Sequence, residues 1–229
     1  MVRINFLTNF IDFLFPAHCL LCDEPLSREE NLICHTCIQH LPFTEMSFSE
    51  DSPVAIRLKH LVDIHKATAL MFYHPKASSG KLIHELKYHN KPEIGALLAE
   101  YLAPKLRADK PDIIIPIPLH RKKMKIRGYN QLELFGKKLA SRLNAHYNDG
   151  ILLKTTHTET QTTKNPMERW KNVMKTFEIR NPEILKQKHI LLIDDVLTTG
   201  ATLSAAAKLL KESQPEIKLS VAVMAYNRH

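Results

Sequence analysis

The chain has 229 residues, of which 44% are hydrophobic and 24% charged, and its formal net charge is +8. These fractions exclude a disordered chain, a collagen-like repeat and a coiled coil, and the length suits one domain with an appendage or two small domains. The positive charge favours polyanionic partners, which include nucleic acid, phosphorylated small molecules and anionic membranes. Charge alone does not choose among them.

Residues 1–15 are apolar with polar interruptions, and Ile4, Leu7, Ile11 and Leu14 recur at helical spacing. This pattern predicts an amphipathic helix docked on the rest of the chain, with a partner-binding or membrane-surface helix as the alternative. No apolar run reaches the length of a membrane span, and residues 1–15 lack the features of a signal peptide. We therefore expect a cytoplasmic protein.

All four cysteines lie in one short stretch, as two C-x2-C pairs separated by eleven residues: Cys19, Cys22, Cys34 and Cys37. Each pair can direct two thiolates at one ion, and two such pairs complete a closed tetrahedral zinc site. The alternative, two disulfides, fits poorly with a cytoplasmic protein. We therefore predict a structural Zn2+ that holds together a segment too small to fold alone. Whether this segment also touches nucleic acid stays open.

Beyond a linker or short helices at residues 41–65, the pattern alternates between strands and helices. Strands are predicted at residues 67–73, 112–117, 151–153, 189–193 and 217–225. Helices are predicted at residues 81–88, 93–106, 130–146 and 201–212, with a further helix start at Asn165. Alternation of this kind predicts an α/β fold with a mainly parallel sheet.

The most informative segment is residues 190–203, in which an apolar strand ends in Asp194 and Asp195 and Gly200 opens a helix. Ligands of open α/β folds bind at the carboxyl ends of strands, and backbone N–H groups at a helix N-terminus favour phosphate. The two carboxylates can accept hydrogen bonds from sugar hydroxyls or hold a hydrated Mg2+. Because neighbouring side chains of a strand point to opposite faces, we expect the strand to end at this pair, so that both can serve one ligand.

Two further segments carry candidate site residues. Residues 116–131 follow a strand and hold five cations without an acid, which suits a pyrophosphate or a nucleic-acid backbone; a solvated basic turn is the alternative. Residues 155–174 read as a polar loop that could close over a site. The candidates for pyrophosphate or nucleic acid are Pro118, Arg121, Lys122, Lys123, Arg127, Asn130 and Gln131. The candidates in the loop are Thr158, Gln161, Arg169 and Asn172.

The string IDDVLTTGAT resembles the phosphoribosyl-pyrophosphate (PRPP) signature of type I phosphoribosyltransferases. Together with the four-cysteine segment, PIPLHR, RGYNQ and T-x-x-Q…ER-x-x-NV, it resembles the ComF family, also called the competence or GntX-like family, over roughly residues 16–226. Departures are small: Tyr129 stands where Phe is common, and Lys164 where Leu is usual.

The resemblance implies a type I phosphoribosyltransferase-like parallel-sheet core behind an N-terminal four-cysteine zinc ribbon. We expect residues 1–50 to form the helix and ribbon, and residues 51–229 the phosphoribosyltransferase-like domain. It also implies that Asp194 and Asp195 face the ribose of PRPP and that the following loop cradles its 5-phosphate. The expected PRPP-binding residues are Val196, Leu197, Thr198, Thr199, Gly200, Ala201 and Thr202.

Three functions remain open from the sequence. The first is a natural-transformation protein that binds PRPP with Mg2+ and single-stranded DNA, works with DNA-import or recombination proteins, and acts in the cytoplasm or peripherally at the inner membrane. The second is an active phosphoribosyltransferase of nucleotide salvage, for which no segment identifies the acceptor. The third is a regulator that senses PRPP without catalysis. The PRPP loop is compatible with all three.

Overall fold

The computed structural model describes residues 16–155 and 176–228. Residues 16–40 form a small ribbon with isolated bridges between His18 and Pro25 and between Asn31 and Ile33. Its one helix, α1 (His35–Gln39), begins after Cys34, whose Sγ accepts a hydrogen bond from the Cys37 N–H. The predicted helix in residues 1–15 lies outside the described residues.

Five strands form one parallel sheet, in the order β1-β7-β6-β2-β3. The strands are β1 (Ala67–Phe72), β2 (Ile113–Pro116), β3 (His146–Tyr147), β6 (His189–Leu197) and β7 (Lys218–Tyr226). β6 and β7 lie inside the sheet and are buried on both faces over most of their length, as expected of parallel strands covered on both sides. Two further strands, β4 (Leu152–Lys154) and β5 (Phe177–Ile179), pair antiparallel as a separate ribbon.

Helices connect the strands and cover the sheet. They are α2 (Pro53–Lys59), α3 (Ser78–Tyr88), α4 (Glu93–Leu106), α5 (Arg121–Arg127), α6 (Glu133–Leu143) and α7 (Ala201–Ser213), with a 3₁₀ turn at Pro182–Leu185. α4 packs on α6, and α6 on β2. The two helices approach closely at Gly95, where an added Cβ would lie 3.3 Å from the Phe135 Cβ. In the described part of the chain, no helix is long and apolar enough to cross a membrane.

The alternation of strands and helices confirms the predicted α/β class, and one local expectation was wrong. The strand predicted to end at the aspartate pair continues through it to Leu197, because Val196 and Leu197 pair with β7. The basic segment, for which a solvated turn was the alternative, contains helix α5. Residues 41–65 contain α2, and two bridges, Phe43 to Met71 and Ser49 to Ala67, attach the stretch before it to β1. The predicted helix start at Asn165 lies outside the described residues.

Candidate functional site at the carboxyl edge of the sheet

A cavity of about 450 Å³, the site cavity, opens at the carboxyl ends of β1, β2 and β6. It lies where parallel α/β sheets bind ligands, because loops and helix N-termini meet at that edge. Its lining residues are Tyr73, Lys87, Tyr88, Ile117, Pro118, Leu119, His120, Lys123, Arg127, Gln131, Lys154, Asp194, Asp195, Val196, Thr198 and Thr202.

The two neighbouring carboxylates both reach this cavity but have different surroundings. Asp195 is 7% exposed; its Oδ1 lies 2.7 Å from the Lys87 Nζ, and its Oδ2 accepts a hydrogen bond from the Gln131 amide. The Asp194 Oδ1 accepts a hydrogen bond from the Asp195 backbone N–H at 2.8 Å. Burial and the negative charge of Asp195 raise the pKa of the Asp194 carboxyl to about 8. Asp195 is thus held by partners, whereas Asp194 is the carboxylate that a ligand cation would stabilise.

The loop between β6 and α7 is shaped for an anion. Gly200 has a φ of +81°, a backbone conformation that favours glycine, and it directly precedes α7. Thr198 and Thr202 line the site cavity beside the N-terminus of this 13-residue helix. Arg57 anchors the loop from behind: its Nη1 donates to the Thr198 carbonyl at 2.8 Å and to the Asn227 carbonyl at 2.7 Å. The N-terminus of α7 and a cation therefore meet at this loop, which suits an anion.

Four cations from three parts of the chain line the same cavity: Lys87 of α3, Lys123 and Arg127 of α5, and Lys154 of β4. Burial lowers the pKa of Lys154, and the nearby Lys123 adds to this effect, while Asp194 opposes it. Such crowding of like charges is costly without an anion. The cavity therefore has the charge distribution expected of a site for a polyphosphate.

The structure brings most of the predicted site residues together. Asp194, Asp195, Val196, Thr198, Thr202, Pro118, Lys123, Arg127 and Gln131 line the site cavity. Thr199 is exposed beside it, Gly200 and Ala201 form the helix start, and the Leu197 side chain is buried in the core. The Asn130 side chain accepts from the Leu132 N–H instead. The side chains of Arg121 and Lys122 lie outside the described part, as do Thr158, Gln161, Arg169 and Asn172.

Sequence reasoning missed several residues of the site. Lys87 and Tyr88 end a predicted helix, Lys154 directly follows a predicted strand, and Tyr73 follows β1. No motif marks them, since each reaches the cavity only through the packing of its element. The sequence gives one weak sign of Arg57. Ser52 and Pro53 are typical of a helix start, and Arg57 lies in the last turn of the short helix that follows.

An adjoining cavity of about 550 Å³ lies under the β4–β5 ribbon. It shares Pro118, Leu119 and Lys154 with the site cavity. Met124, Tyr129 and Leu153 make part of its wall apolar, and Asn130 lies there. Two ligands, or two parts of one ligand, could therefore meet beside Lys154.

The four cysteines form a metal-binding cluster, separate from the site cavity. Their Sγ atoms all lie within 4.8 Å of one another, and all four are free thiols, which argues against the disulfide alternative. The Cys22 and Cys34 Sγ atoms are 3.7 Å apart. A tetrahedron with Zn–S bonds of about 2.3 Å needs edges of about 3.8 Å, so the geometry fits Zn2+. Burial opposes ionisation of Cys19, but N–H groups of Cys22, Cys34 and Leu21 outweigh it and lower its pKa to about 6.

Comparison with known proteins identifies both parts of the chain. A double zinc ribbon domain matches residues 10–48, and a phosphoribosyl transferase domain matches residues 133–229. Competence protein F of Haemophilus influenzae is 29% identical over 89% of this chain and 93% of its own length. The DNA utilization protein YhgH of Shigella flexneri is 28% identical over 85% of this chain and 91% of its own.

Among solved structures, an adenine phosphoribosyltransferase from Thermoanaerobacter pseudethanolicus is 21% identical, with a TM-score of 0.39 over 64% of this chain and 73% of that one. The domain match and the parallel sheet give the chain a phosphoribosyltransferase-type fold, preceded by a four-cysteine zinc ribbon. Homologues over most of the chain are named competence protein F and DNA utilization protein YhgH, which confirms the predicted resemblance to the ComF family.

Proposed function

We propose that the protein acts in natural transformation, where it binds PRPP with Mg2+ in the site cavity and handles single-stranded DNA. The homologues named competence protein F and DNA utilization protein YhgH support the DNA role. The observation that supports PRPP as the ligand is the site cavity, where two aspartates face four cations and a phosphate-type loop. We also propose that the protein works with DNA-import or recombination proteins on the cytoplasmic side of the inner membrane.

The charges of the site cavity can be divided among the parts of PRPP. The 5-phosphate would accept hydrogen bonds from the N–H groups and hydroxyls of residues 198–202, at the start of α7. The pyrophosphate would lie against Lys123 and Arg127, with Lys87 and Lys154 nearby. Asp194 would take the hydroxyls of the ribose or a water of Mg2+, since carboxylate oxygens suit that ion. Mg2+ would also restore the ionised form of Asp194, whose pKa is raised without it.

Calorimetric titration of PRPP with Mg2+ tests this assignment. Wild type should bind, and the double variant Asp194→Asn/Asp195→Asn should not. Because Asp195 contacts Lys87 and Gln131, thermal unfolding of the variant must show that it is folded. Thr202→Val, which removes one hydroxyl of the loop, provides a second variant and should weaken binding about tenfold. Absence of PRPP binding to folded, zinc-loaded wild type would refute the ligand assignment and leave only a DNA or protein interaction.

A second function, catalytic phosphoribosyl transfer, is favoured by the adjoining cavity, because an acceptor there would stand beside PRPP in the site cavity. The acceptor's nucleophilic atom would bond to the anomeric carbon as the C–O bond to pyrophosphate breaks. Cations would stabilise the departing charge. Release of pyrophosphate in the presence of a panel of nucleobases measures this activity. Failure with every base would leave binding without catalysis as the function.

A further inference from the structure

A row of planar side chains, two of them exposed and one half-buried, stands at the mouth of the site cavity. Tyr88, at the end of α3, is 67% exposed. The His84 ring lies 5.0 Å from the Tyr88 ring, and the Arg127 guanidinium lies over that ring at 5.4 Å from its centroid. A large aromatic ring left this open contributes little to the core of the chain. The three side chains, which we name the planar row, form a surface against which other flat groups can stack.

The planar row borders a groove of about 460 Å³ along α3, the α3 groove. Its wall includes Lys76, Lys81 and Lys87 together with Tyr73, and the residues that line it in the described part of the chain include no carboxylate. Lysines beside aromatic rings match a polyanion that carries flat groups. A free phosphate would contact only the charged groups of this wall and would leave its aromatic rings without a partner.

The α3 groove connects the two identified parts of the protein. Tyr73, Lys87 and Tyr88 line both this groove and the site cavity. On the ribbon side, the Lys81 Nζ donates to the Leu21 carbonyl at 3.2 Å, between the first two cysteines of the zinc cluster. α5 adds the exposed Lys123 and Lys125 next to Arg127. A nucleic-acid strand in the α3 groove would therefore pass from the zinc ribbon to the mouth of the site cavity.

We propose that single-stranded DNA binds along the α3 groove, with its bases stacked on the planar row and its phosphates against Lys76 and Lys81. This inference rests on the proposed DNA role and gives that role a location. Base stacking on aromatic side chains and backbone tracking by cations are how proteins hold single strands without sequence preference. A duplex keeps its bases stacked inside and offers no flat face to Tyr88. An anionic membrane is the competing partner, since Met124 and Ile126 are also exposed nearby.

Fluorescence anisotropy with a labelled oligothymidine of about 20 nucleotides tests the location in zinc-loaded full-length protein. Tyr88→Leu should weaken binding about tenfold, and Tyr88→Phe, which keeps the ring, should bind as wild type does. Lys76→Gln/Lys81→Gln should lower the slope of log affinity against log salt by about 1.4. The matched control is Lys110→Gln/Lys188→Gln, because both lysines line a cavity at the opposite edge of the sheet and remove the same charge. This control should leave affinity and slope near those of wild type.

The outcomes separate this inference from the function on which it rests. If wild type fails to bind oligothymidine even at low salt, the proposed DNA role fails together with the inference. If wild type binds and neither Tyr88→Leu nor the Lys76/Lys81 pair changes affinity or slope beyond the control, the α3 groove is the wrong location and the DNA role stands. Binding of anionic vesicles that Tyr88→Leu abolishes, with oligothymidine binding unchanged, would assign the planar row to a membrane and overturn the inference.

Discussion

The zinc ribbon and the parallel sheet of this protein are held together by different physics. In residues 16–40, only Cys19 and Ile33 are buried hydrophobic residues, and Cys22 is exposed. In β6, by contrast, every residue from His189 to Ile193 is buried. Because a segment with so little apolar burial cannot offset the entropy of ordering its chain, metal bonds must supply the difference. The sheet needs no metal, since its core supplies the folding free energy.

The ribbon is attached to the sheet by apolar packing and by a hydrogen bond from α3. Cys19 and Ile33 belong to the same hydrophobic cluster as the sheet, and Lys81 of α3 donates to the Leu21 carbonyl. A boundary near residue 50 stays a prediction, because residues 43 and 49 already bridge to β1. Docking to the sheet therefore positions the ribbon, whereas its internal fold depends on zinc.

Removal of zinc should produce the largest effect. Cys22→Ser deletes one ligand without opening a cavity, because Cys22 is exposed. The ribbon should lose its structure, since zinc contributes on the order of 10 kcal/mol of folding free energy in small four-ligand domains. Zinc content by native mass spectrometry and hydrogen exchange of the backbone amides of residues 16–40 measure the change. Unchanged protection of those amides after zinc loss would show that packing on the sheet holds the ribbon.

The reciprocal control lies in the sheet. Leu192→Ala, in the middle of β6, should destabilise the protein by about 3 kcal/mol through lost burial and an unfilled cavity. Zinc content should stay at that of wild type. Loss of zinc in Leu192→Ala would mean that the two regions fold as a single unit.

A smaller effect is expected at the loop between β6 and α7. Gly200→Ala forces a side chain onto a backbone with φ of +81° and places its Cβ 3.1 Å from Leu58. The expected cost is about 1–2 kcal/mol, together with weaker PRPP binding, because the start of α7 must shift. Chemical unfolding and calorimetry measure the two effects. Gly150→Ala is the matched control, since an added Cβ there has its nearest neighbour at 3.5 Å. Equal losses in both variants would remove the special role of Gly200.

Periodicity and spacing predicted the parts of the fold that depend on local pattern. Helix α4 has the predicted bounds, and the four cysteines meet as their spacing indicated. β6 ran longer than predicted because backbone pairing with β7 carries the strand past its apolar run. The polar residues at its end did not terminate it.

The site was predictable only where its residues are consecutive in the sequence. The string from Asp194 to Thr202 is such a case. Lys87, Lys154 and Tyr88 come from separate elements, and only the tertiary arrangement brings them to one cavity. Two of them carry charge, so the electrostatics of the site were the part least visible in the sequence.

The smallest effect sharpens the contrast within the site itself. Asp194→Asn should stabilise the ligand-free protein by about 1 kcal/mol at pH 8, because it removes a half-buried charge repelled by Asp195. This is well below the full energy of the pKa shift, since solvent at the partly exposed carboxyl screens the repulsion. A folded-state pKa raised to about 8, against about 4 in the unfolded chain, means that the folded protein binds more protons between these values. Wild-type stability should thus fall as pH rises through this window, and the advantage of Asp194→Asn should vanish below about pH 4.

Asp195→Asn should have the opposite sign, because it leaves Lys87 without its partner at 2.7 Å. A loss of about 1–2 kcal/mol is expected, less than for a fully buried pair, since the Lys87 side chain is partly exposed. Urea unfolding of both variants at pH 5 and pH 8 measures the difference. Stability changes of opposite sign would show that Asp195 stabilises the fold, whereas ionised Asp194 destabilises it until a ligand binds. Equal signs would mean that the two share one charge, and the division of roles between them would be wrong.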